Sequence, residues 1–432
     1  MSFFYFIGFV VIVAITSGNC QAYPLDGTAA TGIARLEGYR LIQQGTLRGR
    51  KLPSGAMLPM EKIDARLTNQ RDEEPGEPDA NFTARVRQFL GDKADQYSIA
   101  VLDCSDPAGW RYALHRGNVP YNPGSVGKLM VVLAVFQTLA DIYPDDVAAR
   151  RRVLRDAMVQ ADAFIRNDSH KVPFWDPEAG RLIFRPLREG DRANLWTYLD
   201  WMLSASSNAA ASMVIRELLL LSHFGSRYPV SEQEGRDFLD RTSASELSSL
   251  MISTLQEPVR RNGLNPGELR QGGFFTRQGQ KRVPGTYSTA NAQQLLLFLL
   301  RLEQGRLVDL FSSREIKRLL YMTQKRIRYA SSPALAGAAV YFKSGSFYKC
   351  RPEKDFDCRK YYGNVFNLMN SVAIVEAPAE ERKVFYLVAI LSNVLKQNSA
   401  VEHQTLATRL HRLIEGLHGS RPAAADVKAS GQ

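Results

Sequence analysis

Cysteine and histidine are scarce in this chain, four and six among 432 residues. No CxxC pair and no Cys/His cluster occurs, which argues against a structural zinc site; no metal and no cofactor is expected. Zinc-finger spacing, ribonucleoprotein motifs and basic helices with heptads are missing as well. The formal charge of +11, from 55 Lys+Arg against 44 Asp+Glu, therefore does not point to nucleic acid. Its positive residues are spread along the chain, and net charge speaks of partners and solubility, not of fold. Internal repeats are absent too. Apolar residues are plentiful: 45% hydrophobic and 10% aromatic exclude disorder, collagen-like repeats and a small disulfide-stapled scaffold. The length allows two or three average domains, or one large domain with insertions.

Charge is missing altogether from Met1–Gly18, an almost unbroken apolar run. It is long enough for a signal-peptide core and marginal for a membrane span of roughly 20 residues. Cys20 and Ala22 are small residues placed three and one before a cut ahead of Tyr23. Residues 1–22 are thus expected to be a cleaved signal peptide, with an uncleaved N-terminal anchor second and lipidation of Cys20 third. Each places the protein in a periplasmic or other extracytoplasmic space and limits membrane contact to this segment. Cys350 and Cys358 lie eight residues apart in YKCRPEKDFDC and are a candidate loop disulfide in such an oxidising compartment. Cys104 is then a small buried side chain.

The stretch RLTNQRDEEPGEPDANF crowds Pro, Gly and acidic residues, so residues 23–87 read as a polar N-terminal extension and linker. Residues 88–418 read as one domain and 419–432 as a frayed tail. Within the domain, Tyr97–Leu102 and Trp110–Leu114 form a predicted strand pair. Leu129–Phe136 is apolar on every face, the mark of a helix buried all round. A charged region, Asp145–Arg192, contains a hairpin around GRLIFRPL. Asn194–Leu203 and Ala209–Leu221 are predicted helices separated by SASSN, and Asn208 suits the cap of the second. More helix and a Gly/Arg/Gln-rich loop fill Glu232–Gly285. Ala290–Leu302 follows as a helix capped by Ser288 or Thr289, and Ser312 with Glu315 forms a capping box for another. Ala338–Phe342, Val365–Glu376 and Val384–Ser392 are predicted strands, and Ala400–Leu417 is an amphipathic closing helix. Strands at both ends with helices between them predict an α+β fold, an antiparallel sheet faced by helices with an all-helical block inserted.

Three short motifs carry chemistry. Ser125-Val126-Gly127-Lys128 opens the buried helix, where residues three apart share a face, so the Lys128 amine can reach the Ser125 hydroxyl. A serine needs a neighbouring base to become a nucleophile at neutral pH, and a lysine in apolar surroundings gives up its proton. The helix N-terminus adds positive backbone dipoles. Ser206-Ser207-Asn208 lies between two helices, where side chains can face a cleft. Lys343-Ser344-Gly345 ends the strand AAVYF. Lys and Ser on an edge strand can hold a carboxylate, and Gly admits substrate backbone. Taken singly, each has a plain structural alternative: surface residues, a helix cap, a turn with a solvated lysine. No histidine has an evident catalytic setting.

The order S-x-x-K, S-x-N, K-S-G, each in a fitting element, resembles the penicillin-recognising serine hydrolases, most closely their class A β-lactamase branch. The resemblance spans roughly residues 88–418 and implies the β-lactamase-like sheet with its inserted helical subdomain. It implies Ser125 as the acylated nucleophile and Lys128 as its base or proton relay. Ser206 would pass a proton to the leaving nitrogen, and Asn208 would orient substrate and Lys128. Lys343 and Ser344 would bind a substrate carboxylate beside Gly345, with the N–H groups of Ser125 and Ser346 as oxyanion hole. The implied partner is a small molecule or peptide bearing a carboxylate, peptidoglycan fragments included.

The chain also departs from that pattern. The E-x-x-L-N loop, whose glutamate hydrolyses the acyl-enzyme, is missing, which leaves Glu257 and Glu268 as candidate deacylation bases. Ser207 stands where Asp is usual, and Ser344 where Thr is usual. Insertions at 145–192 and 225–285 should reshape the cleft rim. The expected activity is an exported Ser–Lys acyl hydrolase acting on a β-lactam or related amide. The alternatives are a penicillin-binding D,D-peptidase-like enzyme and a wall-fragment or β-lactam sensor that acylates without turnover.

Overall fold

The computed structural model describes residues 26–322 and 326–419. The expected leader, with Cys20, and the expected tail beyond Gly419 lie outside the described residues.

The strand Val384–Asn393 shows why the sheet is covered twice. Alternate side chains of a strand face opposite ways. Val384, Tyr386, Val388 and Ile390 bury in one apolar core, while Phe385, Leu387, Ala389 and Leu391 bury in another. A strand with two apolar faces must be packed on both. It is the middle of a five-stranded antiparallel sheet in the order Arg111–His115, Tyr97–Asp103, Val384–Asn393, Phe366–Ala377, Ala339–Lys349. Helices Ala80–Gln88 and Ser399–His418 close one face. Ala292–Glu303 and Leu310–Tyr321 close the other.

Helix Lys128–Ile142 sits behind that second face, surrounded by Leu195–Leu203, Asn208–Phe224, Ala244–Arg261 and Leu310–Tyr321. Leu129–Phe136 is buried on every side, as its composition requires. The helical block is inserted between the second and third sheet strands in chain order, which is the expected α+β arrangement.

Several local expectations are corrected. The motif Lys343-Ser344-Gly345 does not end its strand: Ala339 pairs with Glu376 and the ladder continues to Lys349 opposite Phe366. Lys343-Ser344-Gly345 is therefore mid-strand on the sheet edge, not at a turn. The helix after SASSN is capped by Ser207, whose side chain accepts from the Ala210 N–H, and not by Asn208. Asn291 caps Ala292–Glu303, and Asp309 caps Leu310–Tyr321, in place of the Ser/Thr caps and the Ser312/Glu315 box.

Residues 26–87 are not a detached linker. Ile33, Leu36, Leu58, Ile63 and Leu67 are buried in the same core as the central helix. Arg35 makes a bidentate buried ion pair with Asp200 at 2.6 Å for each bond. Its carriers are few and unevenly spaced, and its strongest tie is polar, so no apolar period reveals it. Cys350 and Cys358 form a disulfide, and Cys104 is a buried free thiol.

Candidate active site

The turn Asn122–Gly127 delivers Ser125 to the helix start. The Asn122 side chain accepts from the Gly124 N–H at 2.9 Å, and Asn370 donates to the Asn122 carbonyl at 2.9 Å, tying the turn to the sheet. Gly124 takes φ +52°, a conformation that suits glycine. The edge strand passes very close: a Cβ on Gly345 would lie 2.4 Å from the Pro123 carbonyl oxygen and 2.7 Å from the Ser125 nitrogen. Glycine is required there because the strand backbone lies against the backbone of the Ser125 turn.

Lys128 is fully buried, and among the described residues its Nζ bonds only to neutral oxygens: Ser125 Oγ at 3.1 Å, the Ser206 carbonyl at 2.6 Å, Asn208 Oδ1 at 2.9 Å and, more distantly, Ser206 Oγ. The Phe275 ring lies 4.8 Å away. Burial without an acid partner pulls the Lys128 amine down to about 7, while the charge of Asp168 opposes the shift. A hydroxyl beside an amine that is half neutral at pH 7 can hand over its proton.

Ser206 sits between two lysines. Its hydroxyl accepts from Lys343 Nζ at 2.8 Å and lies 3.5 Å from Lys128 Nζ. To stand there it takes φ +59°, a left-handed backbone that a non-glycine residue adopts at a cost. Lys343 is also held well below the usual lysine range, first by burial, then by the charges of Lys128 and Arg328.

Two residues without a motif complete the cluster. Asp168 Oδ2 accepts from Ser207 Oγ at 3.0 Å and from the Ala209 N–H at 2.8 Å, while its Oδ1 meets His170 Nδ1 at 2.5 Å. Burial would raise this carboxyl, but the His170 contact and the Ala209 N–H outweigh it and hold it at about 2. Asp168 thus brings from upstream the carboxylate that Ser207 lacks. The departure at Ser207 was the one signal that could have led to it. Arg328 donates to Ser344 Oγ at 2.6 Å, Ser346 Oγ at 3.1 Å and Tyr361 Oη at 2.9 Å. Its guanidinium stands beside the K-S-G strand, suited to a carboxylate.

The structure does not bring Glu257 or Glu268 to Ser125. Glu257 is exposed and paired with Arg260 on its own helix. Glu268 accepts from Asn291 at 3.2 Å, which anchors the loop. Among the described residues, neither Ser125 nor Lys128 has a carboxylate hydrogen-bond partner. The neighbouring loop presents Phe275 to Lys128, and a Cβ on Gly127 would collide with the Gln271 side chain. The two insertions meet here: Phe164 and Phe274 pack with centroids 5.2 Å apart, and Thr276 donates to the Phe164 carbonyl at 2.6 Å. His403 is buried between Ser371 and Ser392 and held down to about 3, a neutral packing residue. Among the described residues, no group of three or more His, Cys, Asp or Glu side chains could hold a metal ion.

A family model described as the beta-lactamase enzyme family matches residues 81–413, and the chain belongs to that family. Solved structures share its fold at low identity. A PBP-A variant in an acyl-enzyme complex with penicillin G is 12% identical, covering 80% of this chain and 100% of its own, with a TM-score of 0.50. A class A beta-lactamase representative from Bacteroides cellulosilyticus DSM 14838 is 14% identical over 78% of this chain and 99% of its own, TM-score 0.50. TLA-3 extended-spectrum beta-lactamase is 11% identical over 77% and 98%, TM-score 0.50. No curated protein matches the chain.

Proposed function

We propose that the protein is an exported serine acyl hydrolase that opens an amide, a β-lactam or a related acyl substrate carrying a carboxylate, through an acyl-enzyme on Ser125. The observation that carries this reading is Lys128 Nζ, 3.1 Å from Ser125 Oγ and fully buried with no acid partner among the described residues. Neutral Lys128 takes the Ser125 proton as Oγ bonds to the carbonyl carbon. The N–H groups of Ser125 and Ser346 receive the oxyanion. The C–N bond then breaks, and the leaving nitrogen takes the Ser206 hydroxyl proton, replaced from the flanking lysines. Lys343, Ser344 and Arg328 hold the substrate carboxylate, and peptidoglycan fragments have the required chemistry. Water then attacks the ester carbon, and the Ser125 oxygen leaves with a proton.

The environment of that last step favours slow release. Phe275 and Gln271 occupy the loop beside Lys128 and Gly127, and Glu257 and Glu268 are engaged elsewhere. A penicillin-binding, D,D-peptidase-like enzyme or a sensor is the second reading on this ground. The disulfide between Cys350 and Cys358 supports an oxidising compartment.

Fluorescent penicillin should label the parent on Ser125 and leave Ser125→Ala unlabelled; mass spectrometry of the labelled peptide locates the bond. A folded parent that takes no label from penicillin or a fluorophosphonate overturns the reading. Label persisting for hours selects the slow-release form, and rapid nitrocefin turnover selects the β-lactamase form.

A further inference from the structure

Residues 39–53, 180–184 and 326–336 enclose a cavity of about 780 Å³, within the usual range for ligand sites. None of the motif residues lines it. One wall is apolar, made by Ile42, Leu47, Leu182 and Phe184, and Phe184 is 40% exposed. The remaining charged lining has one sign: Arg48, Arg50, Lys51, Arg181 and Arg326, with no Asp or Glu among the lining residues. Among the described residues, Arg48, Arg50, Lys51 and Arg181 form no ion pair. Arg326 is half-buried and, among the described residues, donates to carbonyls, those of Leu335 at 2.6 Å and Ala338 at 2.7 Å.

Several buried or half-buried arginines elsewhere take carboxylates, as Arg35 does with Asp200 and Arg66 with Glu376. Five cations around one concavity repel one another, and a low-dielectric wall focuses their field into it. An anion entering the cavity relieves that repulsion, and an aliphatic chain gains by covering the Leu182 and Phe184 surface.

We propose that this cavity binds a single-chain anionic amphiphile, with its carboxylate or phosphate monoester among the arginines and its alkyl chain on the apolar wall. The site is independent of the Ser125 chemistry. Its head could come from a membrane-derived lipid or from free phosphate, and the alkyl chain separates the two sources.

The test is calorimetric titration of the full chain with dodecyl phosphate below its micelle concentration, beside inorganic phosphate and dodecyltrimethylammonium. Saturable binding of dodecyl phosphate is expected, with inorganic phosphate at least tenfold weaker and the cationic amphiphile silent. The exposed pair Arg50→Glu/Arg181→Glu should weaken dodecyl phosphate at least tenfold while Ser125 labelling by penicillin keeps its parent rate, which shows the fold intact. A cationic amphiphile that binds as well, or inorganic phosphate as tight as its dodecyl ester, overturns the proposal. So does affinity unchanged by the charge reversal, or no binding by the parent.

Discussion

Lys128 and Lys317 are both fully buried, yet they stand in opposite electrostatic settings. Lys317 Nζ lies 2.6 Å from Glu303 Oε1 and 2.6 Å from Glu376 Oε1, both glutamates sealed from solvent. It also donates to the Asp64 carbonyl at 2.8 Å, so it ties the lead-in segment and two helices to the sheet. Lys128 is given the neutral oxygens of Ser125, Ser206 and Asn208 and an aromatic ring. A buried ammonium surrounded by acids stays charged and acts as a structural rivet, whereas one without acids is driven towards the neutral amine. Burial alone therefore does not distinguish a structural lysine from a reactive one; the acid count around it does.

Exchanging each lysine for methionine breaks this comparison most directly. Lys128→Met should slow penicillin acylation about a hundred- to ten-thousand-fold, the usual span for loss of a general base, with the urea midpoint at or above the parent's. Lys317→Met leaves Glu303 without its cation and Glu376 with Arg66 alone, and should cost about 3–5 kcal/mol of stability, while the folded fraction acylates at the parent rate. Stopped-flow acylation and urea melts on both variants read the two quantities separately. If Lys317→Met melts like the parent, or Lys128→Met loses comparable stability, the two settings do not differ as argued.

The pH profile sharpens the same contrast. Lys128 titrates at about 7 because burial disfavours its charge, and only the neutral amine accepts the Ser125 proton. Acylation should therefore climb about tenfold per pH unit below 7 and level off above it. A rate already flat from pH 5 upwards would mean that Lys128 is not the group that titrates in this step.

What the sequence shows of this site follows the range of its contacts. Ser125 and Lys128 are one turn apart, and each triplet lies within one element, so short patterns announce them. The sheet is legible for the same reason: its middle strand is apolar at consecutive positions because both faces are packed. Asp168 reaches Ser207 from 39 residues away and Arg328 reaches Ser344 from 16, out of segments with no periodicity. The φ of +53° at Arg328 has no signature in a residue of that type. The lead-in is misread because a polar pair, Arg35 with Asp200, does much of its anchoring. Glu257, a candidate deacylation base, lies on a helix that carries it to the surface, where Arg260 takes it.

Asp168 offers the finest test, because its two roles act on different observables. As a positioning residue it holds Ser207 and the Ala209 N–H, and through them the loop that presents Ser206 and Asn208 to Lys128. As a charge it favours the protonated form of Lys128. Asp168→Asn keeps the shape and removes the charge. Losing one charge-assisted contact worth about 1.5 kcal/mol should slow acylation roughly tenfold at saturating pH. Losing the negative charge should move the rising limb of the profile to lower pH, since nothing then helps Lys128 keep its proton. A merely structural aspartate would lower the plateau and leave the limb in place. A limb that moves to higher pH would instead mean that the variant exposes Lys128 to water, and the view of this lysine as isolated from acid by design of its surroundings would have to be given up.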